Sequence, residues 1–445
     1  MLRLLLLAAL SSSAPELTEP KLPSPLTLEA AEEIFLAHGL DLLASEAQAR
    51  GAEGDLKAAG ALPNPGVSAA YLQSFAVGQN FPEIGGAPNP NSFPAVPGWT
   101  VGLSDSALIE QELTGKRALR IRVAAQALAA SKEQVKDLKR NELFLLRQSF
   151  ATALLARGNL ALAHEVEASY DQTYKLNQIR YQKGDISEAD LSKIATAKLE
   201  SDQAVTQAEQ GLATAKAALA FLLGVRTGIA SFELQGVLAY RTLDRLQGKT
   251  PADLLALGFD HRPDLRAAVA TRKQNEELVA QARRAVFPDI TIAASYTTQY
   301  LPPPANNPGL ATVVSPPILQ IGASAPIPIL YQQQGEIRRA ESNLASARAA
   351  EAKARAQLVS DIAQGWAGYV AARELVERME GDLLKQAKLS RDLEQLMYQK
   401  GAASLLDFLD AERTYIATNL EYHQDLASYW DSIFQLEQAT ATPLR

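Results

Sequence analysis

Several residue types are scarce in this sequence, and each shortage excludes a class of protein. The 445 residues include no cysteine, which excludes disulfides, thiol catalysis, and zinc or iron–sulfur sites held by cysteine. Only 6% of the residues are aromatic and the net charge is −7, so the basic footprint of a nucleic-acid-binding protein is missing. Beyond the N-terminus, no run reaches the roughly 18 apolar residues of a membrane-spanning helix, although short alternating strands escape that test.

Proline is missing from two long stretches of the chain. None of the 23 prolines falls between Pro97 and Pro251 or between Pro328 and Pro443, whereas they crowd into residues 63–97 and 288–328. Proline breaks helix interiors because its ring clashes with the preceding turn and it lacks an N–H group. The distribution therefore predicts two long helical blocks, each preceded by a proline-rich irregular segment.

Residues 1–14 have the layout of a short secretory signal peptide. Arg3 is followed by a leucine-rich run to Leu10 and then by small residues up to Ala14. The prolines that come next favour this interpretation over the start of a buried helix. Pro15 directly after Ala14 disfavours cleavage there, so the cleavage site stays open. We expect the protein to be exported.

The chain resembles itself at offsets of 217 to 225 residues, which predicts a tandem duplication. The matching segments are 38–42 with 261–265, 62–71 with 287–296, and 181–184 with 398–401. We assign residues 26–224 to the first repeat, 225–249 to a linker and 250–445 to the second repeat. Two independent domains are the alternative, and we disfavour them because one copy alone offers no compact core.

Each repeat is predicted to contain a helix, a β-hairpin and a long helical hairpin. The first helices, 27–60 and 250–286, end before Pro63 and Pro288. The β-hairpins cover residues 65–107 and 289–326. The helical hairpins cover 113–223 and 335–439, with turns at Gly184 and Gly401.

The strand at 290–300 alternates between two faces over about eleven residues, the length that a tilted membrane-spanning strand requires. Four strands per chain cannot close a barrel, and lipid does not tolerate open sheet edges. Several chains would therefore share one barrel if these strands span a membrane. The alternative is a pair of soluble hairpins with one buried face. The side chains predicted to face lipid are Tyr71, Phe75, Trp99, Ile292, Tyr296 and Tyr300.

Together these segments resemble the TolC-like outer-membrane efflux channels of tripartite export systems. The resemblance rests on Leu-Thr-Leu-Glu-Ala-Ala at 26–31, Leu-Pro-Asn-Pro at 62–65, Tyr-Gln-Lys-Gly at both hairpin turns, and residues 405–412. It implies a mostly α fold in which long helical hairpins form a periplasmic tunnel. It also implies that four strands per chain contribute to a homotrimeric twelve-stranded β-barrel in the outer membrane of a Gram-negative-type bacterium.

The resemblance further implies a passive conduit without cofactors, which contacts outer-membrane lipid and works with two partners. These are a periplasmic adaptor and an inner-membrane pump, expected to be of the resistance-nodulation-division type. The segment 111–117, Gln-Glu-Leu-Thr-Gly-Lys-Arg, resembles the cobalt–zinc–cadmium branch of the family. The exported substrates would then be heavy-metal cations, with drugs or other small molecules as the alternative.

A pore constriction is predicted at the end of the tunnel where both helical hairpins turn. Asp407 and Asp410 are spaced i, i+3 and so share one helix face, and Asp190 matches Asp407 in the first repeat. In a trimer they would form carboxylate rings that attract cations, and the resemblance adds Tyr398 to the constriction. The alternative is that the aspartates are solvated helix caps or partners of the helix dipole.

One position departs from the pattern of this family. The arginine that ties the helices together two residues after the turn glycine is replaced by Ala403. Either Lys183 or Lys400 could substitute for it, or the gate is looser.

The turns themselves are predicted to contact the adaptor, although glycine could merely supply a left-handed turn there. Both interpretations can hold together. The predicted contact residues are Lys183, Gly184, Asp185, Ser187, Lys400, Gly401, Ala402 and Ser404.

We expect no catalytic residue and no metal site in this chain. His164-Glu165 lacks the second histidine of a zinc-protease motif, and Gly248-Lys249-Thr250 lacks the earlier glycine of a phosphate loop. A soluble coiled-coil scaffold and a periplasmic adaptor remain as alternatives to a channel. The scaffold would not explain the signal segment or the alternating strand, and an adaptor carries one long helical hairpin per chain.

Overall fold

The computed structural model describes residues 18–73, 96–105, 108–228, 231–301, 313–314 and 316–445. The predicted signal peptide at 1–14, Phe75 and most of the loop within each β-hairpin lie outside the described residues. None of the described helices combines the length and apolarity needed to cross a bilayer.

The same succession of elements occurs in both halves of the described chain. The first half contains α1 (Leu28–His38), α2 (Leu40–Gly60), β1 (Gly66–Gln73), β2 (Pro97–Ser104), α3 (Leu108–Leu113), α4 (Lys116–Lys183) and α5 (Glu188–Leu222). The second half contains α6 (Pro251–His261), α7 (Pro263–Arg284), β3 (Thr291–Leu301), β4 (Val313–Val314), β5 (Ile318–Ser324), α8 (Gln334–Arg378), α9 (Leu384–Lys400) and α10 (Leu405–Thr440). The repeat boundaries at 224 and 250 stay a prediction.

The predicted starts of the first helix in each half are confirmed by their caps. The Thr27 hydroxyl accepts a hydrogen bond from the Ala30 amide at 3.1 Å. Thr250 forms a capping box with Asp253, and Pro251 occupies the first turn of the helix. These side chains satisfy amides that have no partner inside the helix.

Each of these predicted helices is in fact two helices. The first one breaks at Gly39, where a Cβ would lie 2.7 Å from the ring of Phe35, so the chain needs glycine to turn over that ring. The second one breaks at Arg262, and Pro263 begins α7. The predicted helices run through both positions, although Gly39 and Pro263 are residues at which helices commonly end or begin.

The predicted long helices also differ in detail. Residues 113–115 do not belong to α4, because Gly115 has a positive φ of 70° that separates α3 from α4. The predicted helix at 335–400 is interrupted by one π-helical turn, Met379–Leu383. Such a turn needs no special residue, so no sequence pattern marks it.

Backbone contacts group the chain into two compact units, each containing parts of both predicted repeats. One unit comprises the described residues before Arg50 together with Ser131–Ala268 and Glu351–Arg445. The other comprises Arg50–Ala130 and Val269–Ala350. We call them the helical unit and the strand unit.

The helical unit contains separate hydrophobic clusters for the two halves of the chain. In the first, Phe35 packs with Leu146, Phe150 and Leu219. In the second, apolar side chains of α6, α8 and α10 meet: Leu254, Leu358, Ile362, Tyr429 and Ile433. Burying a leucine or phenylalanine side chain contributes about 1.5–3 kcal/mol, so these clusters stabilise helices whose propensity alone would not.

The predicted linker at 225–249 supports both clusters. It contributes Phe232 and Leu234 to the first cluster and Leu246 to the second. The Leu26 amide donates to the Glu233 carbonyl at 2.7 Å, and the Gln235 amide donates to the Leu26 carbonyl at 2.8 Å. This segment is therefore a packed part of the helical unit.

The strand unit contains an antiparallel sheet in which β1 and β5 are the outer strands. Strand β2 pairs with β1 and β3, β5 pairs with the other side of β3, and the two-residue β4 extends the ladder of β3 beyond β5. The register pairs Tyr71 with Trp99, Val101 with Tyr296, and Tyr296 with Leu319. Since directly paired residues share a face, these side chains all lie on one face of the sheet.

This face is apolar, and the chain leaves it exposed. Five side chains predicted to face lipid lie on it: Tyr71, Trp99, Ile292, Tyr296 and Tyr300. Val67 is 75% exposed and Ile321 is 72% exposed. The opposite face carries polar or small residues such as Ser68, Thr100, Ser295 and Gln320. Soluble hairpins would bury their apolar face, so the structure does not favour that alternative.

Candidate functional site

Both helical hairpins turn on a glycine in the left-handed conformation. The φ angles are 81° at Gly184 and 78° at Gly401. A residue with a side chain would adopt such a backbone conformation only with strain. The return helices α5 and α10 then begin at the N-caps Ser187 and Ser404. All eight residues predicted to contact an adaptor are exposed: Lys183, Gly184, Asp185, Ser187, Lys400, Gly401, Ala402 and Ser404.

Asp190 and Asp407 occupy equivalent positions, each three residues after its N-cap. Asp407 accepts hydrogen bonds from the Ser404 amide at 3.1 Å and from the Ser404 hydroxyl at 2.7 Å. Asp190 accepts from the Ser187 hydroxyl at 2.8 Å and from Lys193 at 3.2 Å. The capping alternative is therefore realised for both residues.

These hydrogen bonds also affect the charge at the tips. The serine hydroxyl is the main cause that lowers the pKa of each carboxyl, and Lys193 adds to the effect at Asp190. Hydrogen bonds to a carboxylate favour its ionised form, so Asp190 and Asp407 are both negatively charged at neutral pH. A capping role and a charged surface therefore coexist at these two aspartates.

Asp410 lies one turn further along α10 and has no capping role. It is exposed and shares a groove of about 540 Å³ with Asp407, between α5 and α10. The groove is also lined by Lys193, Glu200 and Arg413, so its charge is mixed, and Asp190 does not line it. Among the described residues, no group of three histidine, aspartate or glutamate side chains could hold a metal ion.

Tyr398 is buried between the two helical hairpins. Its hydroxyl donates to the Asn177 side chain, and its ring stacks on Phe408 with a centroid distance of 5.6 Å. The surrounding cluster includes Tyr170 and Ile194 from the first hairpin. Within one chain, Tyr398 thus joins the tips and does not expose its ring to solvent.

The cation that links the tips is Arg180, which the sequence analysis did not identify. Its guanidinium donates to the carbonyls of Tyr398 and Gln399 at 3.2 and 2.8 Å and lies 5.2 Å from the centre of the Tyr398 ring. A cation is favourable here because the last carbonyls of α9 have no partner inside the helix. The expected substitutes, Lys183 and Lys400, do not make this link. No local pattern could reveal it, since Arg180 and Tyr398 are 218 residues apart.

A charged network around the buried Arg391 side chain was also missed. Arg391 pairs with Glu165 at 3.1 Å and with Asp392 at 2.8 Å, and its guanidinium lies 4.0 Å from the centre of the Tyr415 ring. Glu412 is fully buried beside this network. Burial raises the pKa of Glu412, and the positive charge of Arg391 opposes that rise. Charged residues of α4, α9 and α10 thus interact electrostatically inside the helical unit.

Comparison with known proteins finds similarity to outer-membrane efflux proteins. Residues 256–442 match the model of the outer membrane efflux protein family. The chain is 21% identical over 398 residues to the cobalt-zinc-cadmium resistance protein CzcC of Cupriavidus metallidurans, which covers 89% of this chain and 86% of that protein.

Solved structures show the same fold over nearly the whole chain. CusC, studied for its folding and transmembrane channel formation, superimposes with a TM-score of 0.74 at 18% identity, covering 96% of this chain and 99% of CusC. The outer membrane protein VceC of Vibrio cholerae gives a TM-score of 0.73 at 20% identity, covering 94% and 97%. These likenesses confirm the predicted fold class.

Proteins of this family are passive channels, which confirms the prediction that the chain is not an enzyme. Residues 256–442 thus match the outer membrane efflux protein family, and the chain has the fold of the TolC-like outer-membrane channels over nearly its whole length.

Proposed function

We propose that this protein is the outer-membrane conduit of a tripartite system that exports heavy-metal cations. The similarity to CzcC carries the proposal, because it extends over 398 residues and therefore through both halves of the chain. The resemblance of residues 111–117 to the cobalt–zinc–cadmium branch supports the same substrate class. The cations are cargo in this proposal and need no resident binding site.

Outer membrane efflux proteins of tripartite systems are trimers that work with an adaptor and a pump. For this chain we propose a homotrimer in which β1, β2, β3 and β5 of each chain close one twelve-stranded barrel, with the apolar face of each sheet toward lipid. Two observations support it: β1 and β5 each leave one edge unpaired within the described chain, and the face that carries Tyr296 and Ile321 is exposed. The pump would be of the resistance-nodulation-division type.

We place the gate at the hairpin tips. Arg180, Asn177 and Tyr398 hold the second tip against the first, so opening would have to break their contacts. Asp190, Asp407 and Asp410 would form three carboxylate rings in a trimer. The exposure of Asp407 and Asp410 supports rings that attract cations, although Lys193 and Arg413 reduce the net charge of their groove.

The exposed turns at 183–187 and 400–404 are proposed to dock the adaptor. The two turns have matching geometry, with a left-handed glycine followed by a serine cap, so an adaptor could meet both in a similar way. Glycine is needed for the turn in any case, and this does not conflict with docking.

The cargo can be tested by deleting the gene in its host. We expect the deletion to lower the tolerance of cells to cobalt, zinc and cadmium, because the last step of export is lost, while drug tolerance stays unchanged. The measurement is growth inhibition across metal and drug series, with the wild-type gene restored on a plasmid as the control. Unchanged metal tolerance with lost drug tolerance would contradict the proposed cargo.

The contribution of Arg180 to closure can be tested with Arg180→Gln. Hydrogen bonds to charged groups contribute about 1.5–3 kcal/mol, so their loss should raise the ratio of open to closed channels about ten-fold or more. The measurement is single-trimer conductance in planar bilayers. Lys183→Gln removes a nearby exposed charge and serves as the matched control. Equal conductance of both variants and wild type would show that Arg180 does not hold the gate.

The carboxylate rings can be tested with Asp410→Asn, which leaves the capping box of Asp407 intact. We expect weaker block of the channel by multivalent cations, because three charges leave the ring of a trimer. The measurement is the concentration of trivalent cation that halves the conductance. Glu421→Gln, at an exposed position on the same helix, is the control and should leave the block unchanged. Undiminished block in Asp410→Asn would count against the ring.

The absence of cysteine allows docking to be tested with single introduced thiols. We expect Asp185→Cys and Ala402→Cys to crosslink to the adaptor in cells, because both positions lie at exposed turns. The measurement is the covalent adduct detected after treatment with a short bifunctional reagent. Lys388→Cys, exposed on α9 and roughly 20 Å from the turn, is the control. Absence of adducts at 185 and 402 would argue against docking there.

A further inference from the structure

The ends of the strands that join the helices collect at one end of the sheet. Gly66 pairs with Ser104, Ser104 with Ala293, and Thr291 with Ser324. Long-range contacts tie the adjoining helix ends together there. The Lys116 ammonium bonds the Phe287 carbonyl and the Asp289 carboxylate, at 2.5 and 2.6 Å. The ends of β1, β2, β3 and β5 that connect to helices therefore lie at the same end of the sheet.

Basic residues are concentrated at this level. Arg283 and Arg284 end α7, Arg338 and Arg339 lie in the first turns of α8, and Lys116 and Arg117 begin α4. Three of these cations have carboxylate partners: Lys116 with Asp289, Arg117 with Glu112, and Arg283 with Glu341. The charges of these three are thus neutralised within the chain.

The other three cations are exposed and have no carboxylate within salt-bridge distance among the described residues. They are Arg284, Arg338 and Arg339. Arg284 lies over the ring of Phe287, with 5.6 Å between the guanidinium carbon and the ring centre. The nearby Glu336 carboxylate accepts from Tyr331 and offsets part of the charge of Arg339, so the three guanidinium groups together still carry a net positive charge.

Exposed apolar side chains lie between the arginines and the sheet. Leu330 is 98% exposed and Leu113 is 82% exposed, and Ile327 and Ile329 are also exposed. The segment 327–331 is anchored to the start of α8, because the Tyr331 hydroxyl donates to Glu336 at 2.6 Å and accepts from the Gly335 amide at 2.9 Å. We call these four apolar residues and the three arginines the junction band.

The junction band has the chemistry of a membrane interface. Its exposed apolar residues adjoin the sheet in sequence, at the end where the strands connect to the helices, and its arginines lie in the adjoining helix ends. Apolar residues next to basic ones are the composition of proteins that lie at a bilayer surface. Guanidinium groups bind phosphate oxygens with paired hydrogen bonds, and each basic side chain near an anionic bilayer adds to the affinity. Charge complementarity and continuity with the sheet thus both favour lipid as the occupant of this surface.

We propose that the junction band binds the phosphate headgroups of anionic lipids in the leaflet on the helical side of the outer membrane. The proposal rests on the proposed function, in which the strands span that membrane. Arg284, Arg338 and Arg339 hold the phosphates, and the apolar residues lie against the upper parts of the acyl chains. Bound lipids would fill the space between neighbouring junctions and seal the barrel at its base.

The test uses the full-length protein reconstituted in nanodiscs of phosphatidylcholine with a minor fraction of phosphatidylglycerol. Native mass spectrometry after release into mild detergent counts each lipid that stays bound. We expect wild type to retain phosphatidylglycerol above its share of the bilayer. The triple variant R284Q/R338Q/R339Q should lose that enrichment by roughly five-fold or more, since even one basic residue near an anionic surface contributes about that factor.

Two further variants make the result specific. R348Q/R355Q/R378Q removes the same charge from exposed arginines further along α8 and should keep the enrichment. R284K/R338K/R339K keeps the charge and should retain most of the enrichment even if the glutamine variant assembles poorly. Equal loss in the control variant, or no enrichment in wild type, would overturn the proposal.

Inorganic phosphate distinguishes a lipid site from a simple anion site. Added to wild type at the concentration of phosphatidylglycerol, it should not displace the lipid, whereas displacement would overturn the lipid assignment. Conductance in planar bilayers separates this proposal from the proposed function. A conducting wild type without lipid enrichment would reject the junction band alone, and a wild type that never inserts would reject both.

Discussion

The chain forms an apolar surface that it cannot bury by itself. Ladder pairing puts Tyr71, Trp99, Val101, Tyr296 and Leu319 on one face of a single sheet, and no described element of the strand unit covers them. Both outer strands also leave backbone groups without a ladder partner. Exposing an apolar face and unpaired backbone groups is unfavourable. Lipid against the face removes the first penalty, and copies of the chain paired at the edges remove the second. Membrane location and assembly would thus both follow from the exposed surface of this one sheet.

The helical unit satisfies its apolar surface in the opposite way, from within. Long helices are unstable singly, so each hairpin packs against short helices near its base and against the other hairpin near its tip. At the tips, this packing is combined with polar contacts made by Arg180 and Asn177. These contacts involve residues outside the two clusters nearer the base.

Much of this architecture could be predicted from local patterns. Proline positions marked the helical blocks, alternation marked the strands, and the duplication supplied the equivalence of Asp190 and Asp407. The caps at Thr27 and Thr250 were predictable because capping depends on neighbours in sequence. What could not be predicted depends on distant neighbours. Arg180 and Arg391 act on residues more than 200 positions away, and Gly39 breaks a helix because of the ring it passes.

The π-helical turn at Met379–Leu383 has a consequence for how the second hairpin presents its side chains. Such a turn takes up one residue more than an α-helical turn, and each residue of a helix rotates its face by about 100°. The facing of everything after the turn, including Arg391 and Tyr398, therefore depends on that surplus residue. If the turn relaxed to regular α-helix, α9 would rotate about its own axis and carry both side chains away from the first hairpin. The orientation of the second tip relative to its base is thus set by the one surplus residue of the π-helical turn.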